Sequence, residues 1–125
     1  MNHTVIHFEI PADDVEKLKG FYSAVFGWKL VDIPEMEYVS VFTVPTDESG
    51  MLKEPGVNGG IYRRTRREQV PVNYISVESV DEYVKKAEAN GGTVLQAKQS
   101  IAKVGEFAWI ADPEGNPIGI IRPEM

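Results

Sequence analysis

Apolar and polar residues alternate at the start of the chain. In Val5-Ile6-His7-Phe8-Glu9-Ile10, the apolar Ile6, Phe8 and Ile10 are set between His7 and Glu9. A strand with one buried face needs this period of two, because successive side chains point to opposite sides. Pro11 has no N–H to donate and is expected to end the ladder. The period then changes. Val15, Leu18, Phe21, Tyr22, Val25 and Phe26 recur at three- and four-residue steps, the stripe of a helix packed on a sheet. Asp13 or Asp14 can cap that helix, Glu16 adds negative charge beside its positive end, and Gly27 closes it. His7 and Glu9 are left on the strand face turned away from the helix.

The pattern continues through Trp28–Ile33, stopped by Pro34, and Tyr38–Val44. A turn-rich loop, Pro45–Val57, leads to a fourth strand, Asn58–Arg63. After Pro71 the same order returns. Val72–Val77 reads as a strand, and Val80–Asn90 as a helix with Val80, Tyr83, Val84 and Ala87 on one face, ended by Gly91-Gly92. Thr93–Ala97, Gly105–Ala111 and Pro117–Arg122 read as strands. Setting Asp14-Val15 on Ser79-Val80 places Ile10 on Ile75 and His7 on Val72. Gly60-Ile61-Tyr62-Arg63 likewise resembles Gly119-Ile120-Ile121-Arg122. The repeat is β-α-β-β-β, present twice, which makes the fold class α+β. The two modules, about residues 3–67 and about 70–123, form one domain spanning 1–125.

Composition narrows the partners. The formal net charge of −6 disfavours nucleic acid and anionic membrane, both of which attract basic surfaces. Arg63-Arg64-Thr65-Arg66-Arg67 runs against that trend and reads as a solvated connector. The chain has no cysteine, which excludes a disulfide, a thiolate metal site and a cysteine nucleophile. No apolar run reaches the length of a membrane span, and the start lacks a signal-peptide pattern, so a cytoplasmic location is expected. Asn58-Gly59-Gly60 does not open a helix, so it indicates close backbone packing rather than a phosphate loop.

Two stretches carry a resemblance. HFEIPADD followed by FYSAVFGW, and Asp112-Pro113-Glu114-Gly115-Asn116 within WIADPEGNPIGII, resemble the opening module and the last-strand turn of the vicinal-oxygen-chelate superfamily. That superfamily includes glyoxalase I, bleomycin-resistance proteins and extradiol dioxygenases. The resemblance implies a curved mixed sheet around a concave cavity, with helices outside, and a chain that pairs with a second copy as a homodimer. It also implies a divalent ion (zinc, nickel, manganese or iron) held by His, Glu or Gln on the first and last strand of each module. Taken position by position, His7 matches. The next ligand position falls on Gly60, the third on Val72 with Asn73 beside it, and the fourth on Gly119. Glu9 and His3 lie near His7 in sequence, but same-face neighbours along one strand are roughly 6–7 Å apart and do not converge. No cofactor and no metal site are therefore expected, although a divalent metal is the family's usual cofactor.

The cavity itself remains. Strand alternation assigns to it His7 and Glu9, Gly60 and Tyr62, Val72, Tyr74 and Ser76, Gly119 and Ile121, with Phe42 and Trp109 as aromatic walls. Glycine at both carboxylate positions is expected to open space. Aromatic walls with a few polar groups suit a small-molecule ligand. His7 and Glu9 can also be read as a catalytic acid–base pair, with Tyr62 or Tyr74 holding a developing oxyanion. The plainer reading of His7 is a cavity-lining imidazole bonded to Glu9 or Tyr62. Trp28 reads as core, whereas Trp109 is open between core, cavity wall and dimer contact. Gly50-Met51-Leu52 reads as a lid or a solvent loop. Three functions compete: a metal-independent small-molecule binding protein; an enzyme related to lactoylglutathione lyase (lyase, isomerase or dioxygenase) using His7 with Glu9 or an atypical divalent metal; and a non-catalytic structural or regulatory dimer. Binding ranks first, because losing the carboxylates disfavours the family's metal chemistry without disfavouring its cavity.

Overall fold

The computed structural model describes residues 2–124, and among these the βαβββ repeat is present twice, an α+β architecture. The first module holds β1 (Val5–Ala12), α1 (Val15–Phe26), β2 (Lys29–Ile33), β3 (Tyr38–Phe42) and β4 (Asn58–Arg63), with a short 3-10 turn at Pro34–Met36. The second holds β5 (Val72–Ser76), α2 (Val80–Ala89), β6 (Thr93–Ile101), β7 (Gly105–Ala111) and β8 (Pro117–Pro123). The chain divides into two compact units. One is His7–Pro71; the other joins the residues up to Ile6 to those from Val72 onward.

In the unit His7–Pro71, β1 runs parallel to β4, β4 antiparallel to β3, and β3 antiparallel to β2. The period of two sorts the side chains. Phe8, Ile10, Ala12, Leu30, Val39, Val41 and Ile61 form a core with Val15, Leu18, Tyr22 and Trp28. Trp28 stacks on Tyr22, with centroids 5.0 Å apart and planes 5° from parallel, so it is core as expected. The helix stripe is narrower than its spacing suggests. Val15, Leu18 and Tyr22 reach the sheet, but Phe21, Val25 and Phe26 are 51%, 57% and 59% exposed. Phe21 lies one residue step, about 100°, from Tyr22. Phe21 meets Tyr22 edge-on, and the Phe26 ring centroid lies 6.2 Å from that of Tyr22 and 5.6 Å from that of Trp28, at tilts of 27° and 30°, with more than half of each phenylalanine left to solvent. Of the two candidate caps, Asp14 accepts from the Lys17 N–H at 3.1 Å, and Gly27 closes the helix at φ 69°.

Pro11 does not end β1, which continues to Ala12. The Arg64 N–H donates to the Ala12 carbonyl at 2.8 Å, so it is the even-numbered residues of β1 that present their backbone to β4. The missing N–H of Pro11 falls on the other side of the strand and costs no bond to β4. β3 stops at Phe42, two residues short of the expected Val44, because a side chain takes over. The Asn58 amide oxygen accepts from Thr43 N–H (2.7 Å) and Val44 N–H (3.0 Å), and its NH2 donates to the Val44 carbonyl at 3.3 Å. That clip closes the loop before β4. Inside the loop, Asp47 accepts from Ser49 and Met51, which holds its carboxyl below the usual range, and Met51 is 67% exposed.

In the other unit, β5 is parallel to β8, β8 antiparallel to β7, and β7 antiparallel to β6. All four residues of the predicted α2 stripe, Val80, Tyr83, Val84 and Ala87, pack with Val77, Ala108, Ile110, Ile118 and Ile120. Ser79 caps α2 by accepting from the Glu82 N–H. β6 runs past the expected Ala97 to Ile101. Its partner β7 extends the ladder through polar Lys98-Gln99-Ser100, with two register irregularities. In the turn before β8, the Asp112 carboxylate accepts from the Glu114 N–H, the Asn116 N–H and the Asn116 side chain. Those bonds, Asn116 foremost, hold its carboxyl below the usual range, and Gly115 supplies the required φ of 87°.

Candidate functional site

The face of the His7–Pro71 sheet opposite its core carries chemistry. Register sets Glu9 beside Gly60 and Tyr38 beside Tyr62, so His7, Glu9, Gly60, Tyr62, Tyr38 and Phe42 share this face. Tyr38 Oη donates to Glu9 Oε2 at 2.8 Å and lies 2.9 Å from His7 Nε2. His7 Nε2 is 3.7 Å from the same carboxylate oxygen. The group is half-buried: the His7 and Glu9 side chains are 31% and 16% exposed. A hydrogen-bond partner of His7 is thus Tyr38, where Glu9 or Tyr62 was expected, with Glu9 at ion-pair distance. Burial pushes the Tyr62 phenol up, and the Glu9 charge adds to this, while Arg64 and Arg66 pull the other way. Tyr62 therefore keeps its proton at neutral pH. Phe42, at the far end of β3, lies under the Lys29 ammonium, which is 5.9 Å from the ring centroid.

In the other unit, Val72, Tyr74, Ser76, Gly119, Ile121, Phe107 and Trp109 share the face away from α2. Val72, Tyr74 and Ile121 are buried and pack with Phe107 and Trp109. Trp109 Nε1 donates to Tyr74 Oη at 2.5 Å. Trp109, left open by its sequence, therefore belongs to this aromatic cluster. Ser76 is buried, and its backbone is bonded to Thr4 and His3.

The two glycines do not open space. A Cβ on Gly60 would lie 1.8 Å from Tyr38 Oη and 2.0 Å from its Cζ; one on Gly119 would lie 2.4 Å from Tyr74 Cδ2. A strand glycine leaves a gap in the pleated face, and in each unit a tyrosine ring from a nearby strand covers it. The same positions bear on the fit of a metal. Of the four ligand positions, His7 alone has a donor side chain; Val72 is apolar and buried, and Gly60 and Gly119 have no room for a carboxylate. Among the described residues no three His, Cys, Asp or Glu side chains gather to hold an ion. The residues present do not fit the family's divalent ion.

Tyr38 and Phe107 were missed by the sequence reading. The signal for Tyr38 was available: an antiparallel β3–β4 pair puts it on the Gly60 face, and a strand glycine marks a close approach. That approach is by a ring, where backbone had been expected. A separate surface groove at the β6–β7 turn, bordered by Ser100, Gly105, Glu106 and Arg122, includes none of the expected site residues. Among the described residues no helix is long and apolar enough to cross a membrane.

A family model described as bleomycin resistance protein-like N-terminal matches residues 4–44. A glyoxylase-like domain-containing protein of Didymella fabae is 32% identical over 118 residues, covering 86% of this chain and 84% of that protein. Lactoylglutathione lyase GLX1 of Arabidopsis thaliana is 27% identical over 126 residues, 97% of this chain but 44% of the relative, so the chain spans less than half of that enzyme. Among solved structures, hypothetical protein BH1468 from Bacillus halodurans C-125 superposes with a TM-score of 0.68 at 14% identity, covering 100% of this chain and 97% of the other, a likeness of fold.

Proposed function

The chain belongs to the glyoxalase-like proteins of the vicinal-oxygen-chelate superfamily, and on that premise we propose that it binds a small organic molecule without a metal ion. The observation that carries this reading is the bonded set of His7, Tyr38 and Glu9 on one sheet face. It supplies an imidazole, a phenol and a carboxylate in a half-buried setting, and Tyr62 and Phe42 on the same face add aromatic surface. Few polar groups among aromatic ones is the make-up of a small-molecule site. Ligand binding by this chain is therefore independent of divalent cations and dependent on His7. In the other unit, Val72, Tyr74, Ser76, Trp109, Gly119 and Ile121 form a separate candidate set on their own sheet face, and pairing of two copies is proposed as well.

A second reading, metal-free proton transfer of the isomerase or lyase type, is favoured by one feature: Tyr38 links an imidazole to a carboxylate. In it His7 takes a proton from the bound molecule and returns it at another atom. The Glu9 charge meanwhile stabilises the imidazolium.

The test is a thermal-shift and calorimetric screen of small carbonyl, hydroxyl and aromatic compounds on EDTA-treated protein, with elemental analysis before and after treatment. The expected result is a ligand that raises the melting temperature of the metal-free protein and not of His7→Ala. Binding seen only after a divalent ion is restored, or binding unchanged in His7→Ala, would remove the proposal. Turnover of the bound compound, lost in Glu9→Gln, selects the second reading.

A further inference from the structure

We infer that Tyr38 is a positioning residue that fixes the tautomer of His7, with the hydrogen on Nε2 and Nδ1 left as the acceptor and basic nitrogen of the ring. A phenol has one hydrogen, and an ionised carboxylate only accepts. The 2.8 Å contact of Tyr38 Oη with Glu9 Oε2 commits that hydrogen to Glu9. Were it turned to His7 instead, phenol lone pairs would face a carboxylate oxygen at that distance. Tyr38 Oη must therefore accept at its other contact, from His7 Nε2 at 2.9 Å. The Glu9 oxygen 3.7 Å from the same nitrogen adds attraction for a hydrogen placed there. A neutral imidazole has one N–H, so Nδ1 carries the lone pair.

The other histidine of the chain has the opposite arrangement. His3 Nδ1 is 2.9 Å from the Ser76 carbonyl, which can only accept, so the hydrogen sits on Nδ1. Its Nε2 lies 3.1 Å from Tyr83 Oη, which also reaches Glu78 Oε2 at 3.5 Å, with Glu78 Oε1 3.6 Å from the nitrogen. Each histidine has a tyrosine and a carboxylate near Nε2. The difference comes from the backbone carbonyl at Nδ1 of His3, which fixes the hydrogen there, and from the shorter Tyr38–Glu9 bond, 2.8 Å against 3.5 Å for Tyr83–Glu78.

The consequence for the site rests on the proposed function. Whatever group meets His7 Nδ1, side chain or ligand, must donate to it, and a proton taken there is balanced by Glu9 through Nε2 and Tyr38. The tautomer itself needs no ligand, so the two ideas fail separately.

The experiment is a long-range 1H–15N correlation spectrum of the histidine-labelled chain, without ligand, at a pH where imidazole is neutral. With only two histidines in the sequence, His3→Asn completes the assignment. His7 should give a pyrrole-type Nε2 and a pyridine-type Nδ1, and His3 the reverse. In Tyr38→Phe the two His7 nitrogens should move toward the averaged values of exchanging tautomers, with His3 unmoved and the backbone amide spectrum still that of the folded chain. Glu9→Gln, which removes the charge and keeps the shape, should move His7 the same way. A wild-type His7 carrying its hydrogen on Nδ1, or a His7 spectrum indifferent to both variants, overturns the inference.

Discussion

Replacing Gly60 by alanine puts a methyl group where Tyr38 already lies. At an uncovered strand position the same change removes backbone entropy from the unfolded chain and stabilises by about 0.5–1 kcal/mol. Here the new Cβ would be 1.8 Å from Tyr38 Oη and 2.0 Å from Cζ. Carbon contacts need about 3.5 Å, so the end of the ring must retreat by roughly 1.5–2 Å. A retreat of that size breaks the hydrogen bonds to Glu9 and His7. Overpacking costs about 1–3 kcal/mol, and a hydrogen bond to a charged group about 1.5–3 kcal/mol. Set against the entropy gain, the net loss is about 2–5 kcal/mol. In a Tyr38→Ala background the obstruction is gone, and Gly60→Ala should be neutral or slightly stabilising. The assay is urea unfolding of the four proteins of that double-mutant cycle, followed by tryptophan fluorescence. With a urea slope of about 1–3 kcal/mol per molar, the midpoint of Gly60→Ala should fall by about 1 M or more, and only when Tyr38 is present. Equal costs in both backgrounds, or a raised midpoint for Gly60→Ala alone, would refute the reasoning. Gly119→Ala should behave alike and cost more. The obstructing atoms there, Tyr74 Cδ2, Cε2 and Cγ, belong to the body of a ring that is only 3% exposed, not to its free end.

Other outcomes follow from single features. His7→Ala should lower stability by no more than about 1 kcal/mol, because water can replace a half-exposed partner of Tyr38, while abolishing ligand binding; a larger loss in a ligand-free thermal melt would count against that placement. Asp112 has a depressed folded pKa, so its contribution is full above the ordinary carboxylate range and is lost as pH falls through the lowered value. Asp112→Ala should therefore unfold at lower urea than wild type at neutral pH, with the gap closing in strong acid; a gap independent of pH would refute it. Gly27 has φ 69° and no atom within 4 Å of a built Cβ, so Gly27→Ala should cost only the left-handed backbone penalty, about 1–2 kcal/mol, and Gly27→Asn less, as read by urea midpoints.

The parts of the fold legible in the sequence are those where one local pattern decides. β4 and β7 have the expected bounds because turn residues flank them, Pro55-Gly56 before β4 and Asp112-Pro113 after β7, and all four residues of the α2 stripe pack on the sheet because their helical period is clear. The departures arise where a partner decides. Pro11 stays in β1 because its nitrogen faces away from β4, a matter of pairing direction that no single strand encodes. β3 ends early because Asn58, a residue of the following strand, takes its backbone bonds. The outer residues of α1 repeat at helical spacing, but only the residues that meet the sheet are covered. At the site, alternation named His7, Glu9, Gly60 and Tyr62, yet Tyr38 entered only through the register of β3 on β4. That register covers Gly60, and the pairing of β5 with β8 sets Tyr74 over Gly119.

The Asn58 clip has a consequence for how this chain can be altered. A hairpin normally relies on its turn to set the register, so an insertion there shifts every pair above it. Here a side-chain amide grips Thr43 and Val44 directly, and β3 meets β4 in register whatever the intervening segment does. The stretch from Pro45 to Gly56 is thereby insulated. Doubling its length adds only about 0.6 kcal/mol of closure entropy. An insertion at its exposed tip, around Ser49 to Met51, should therefore leave Tyr38 and Phe42 in place.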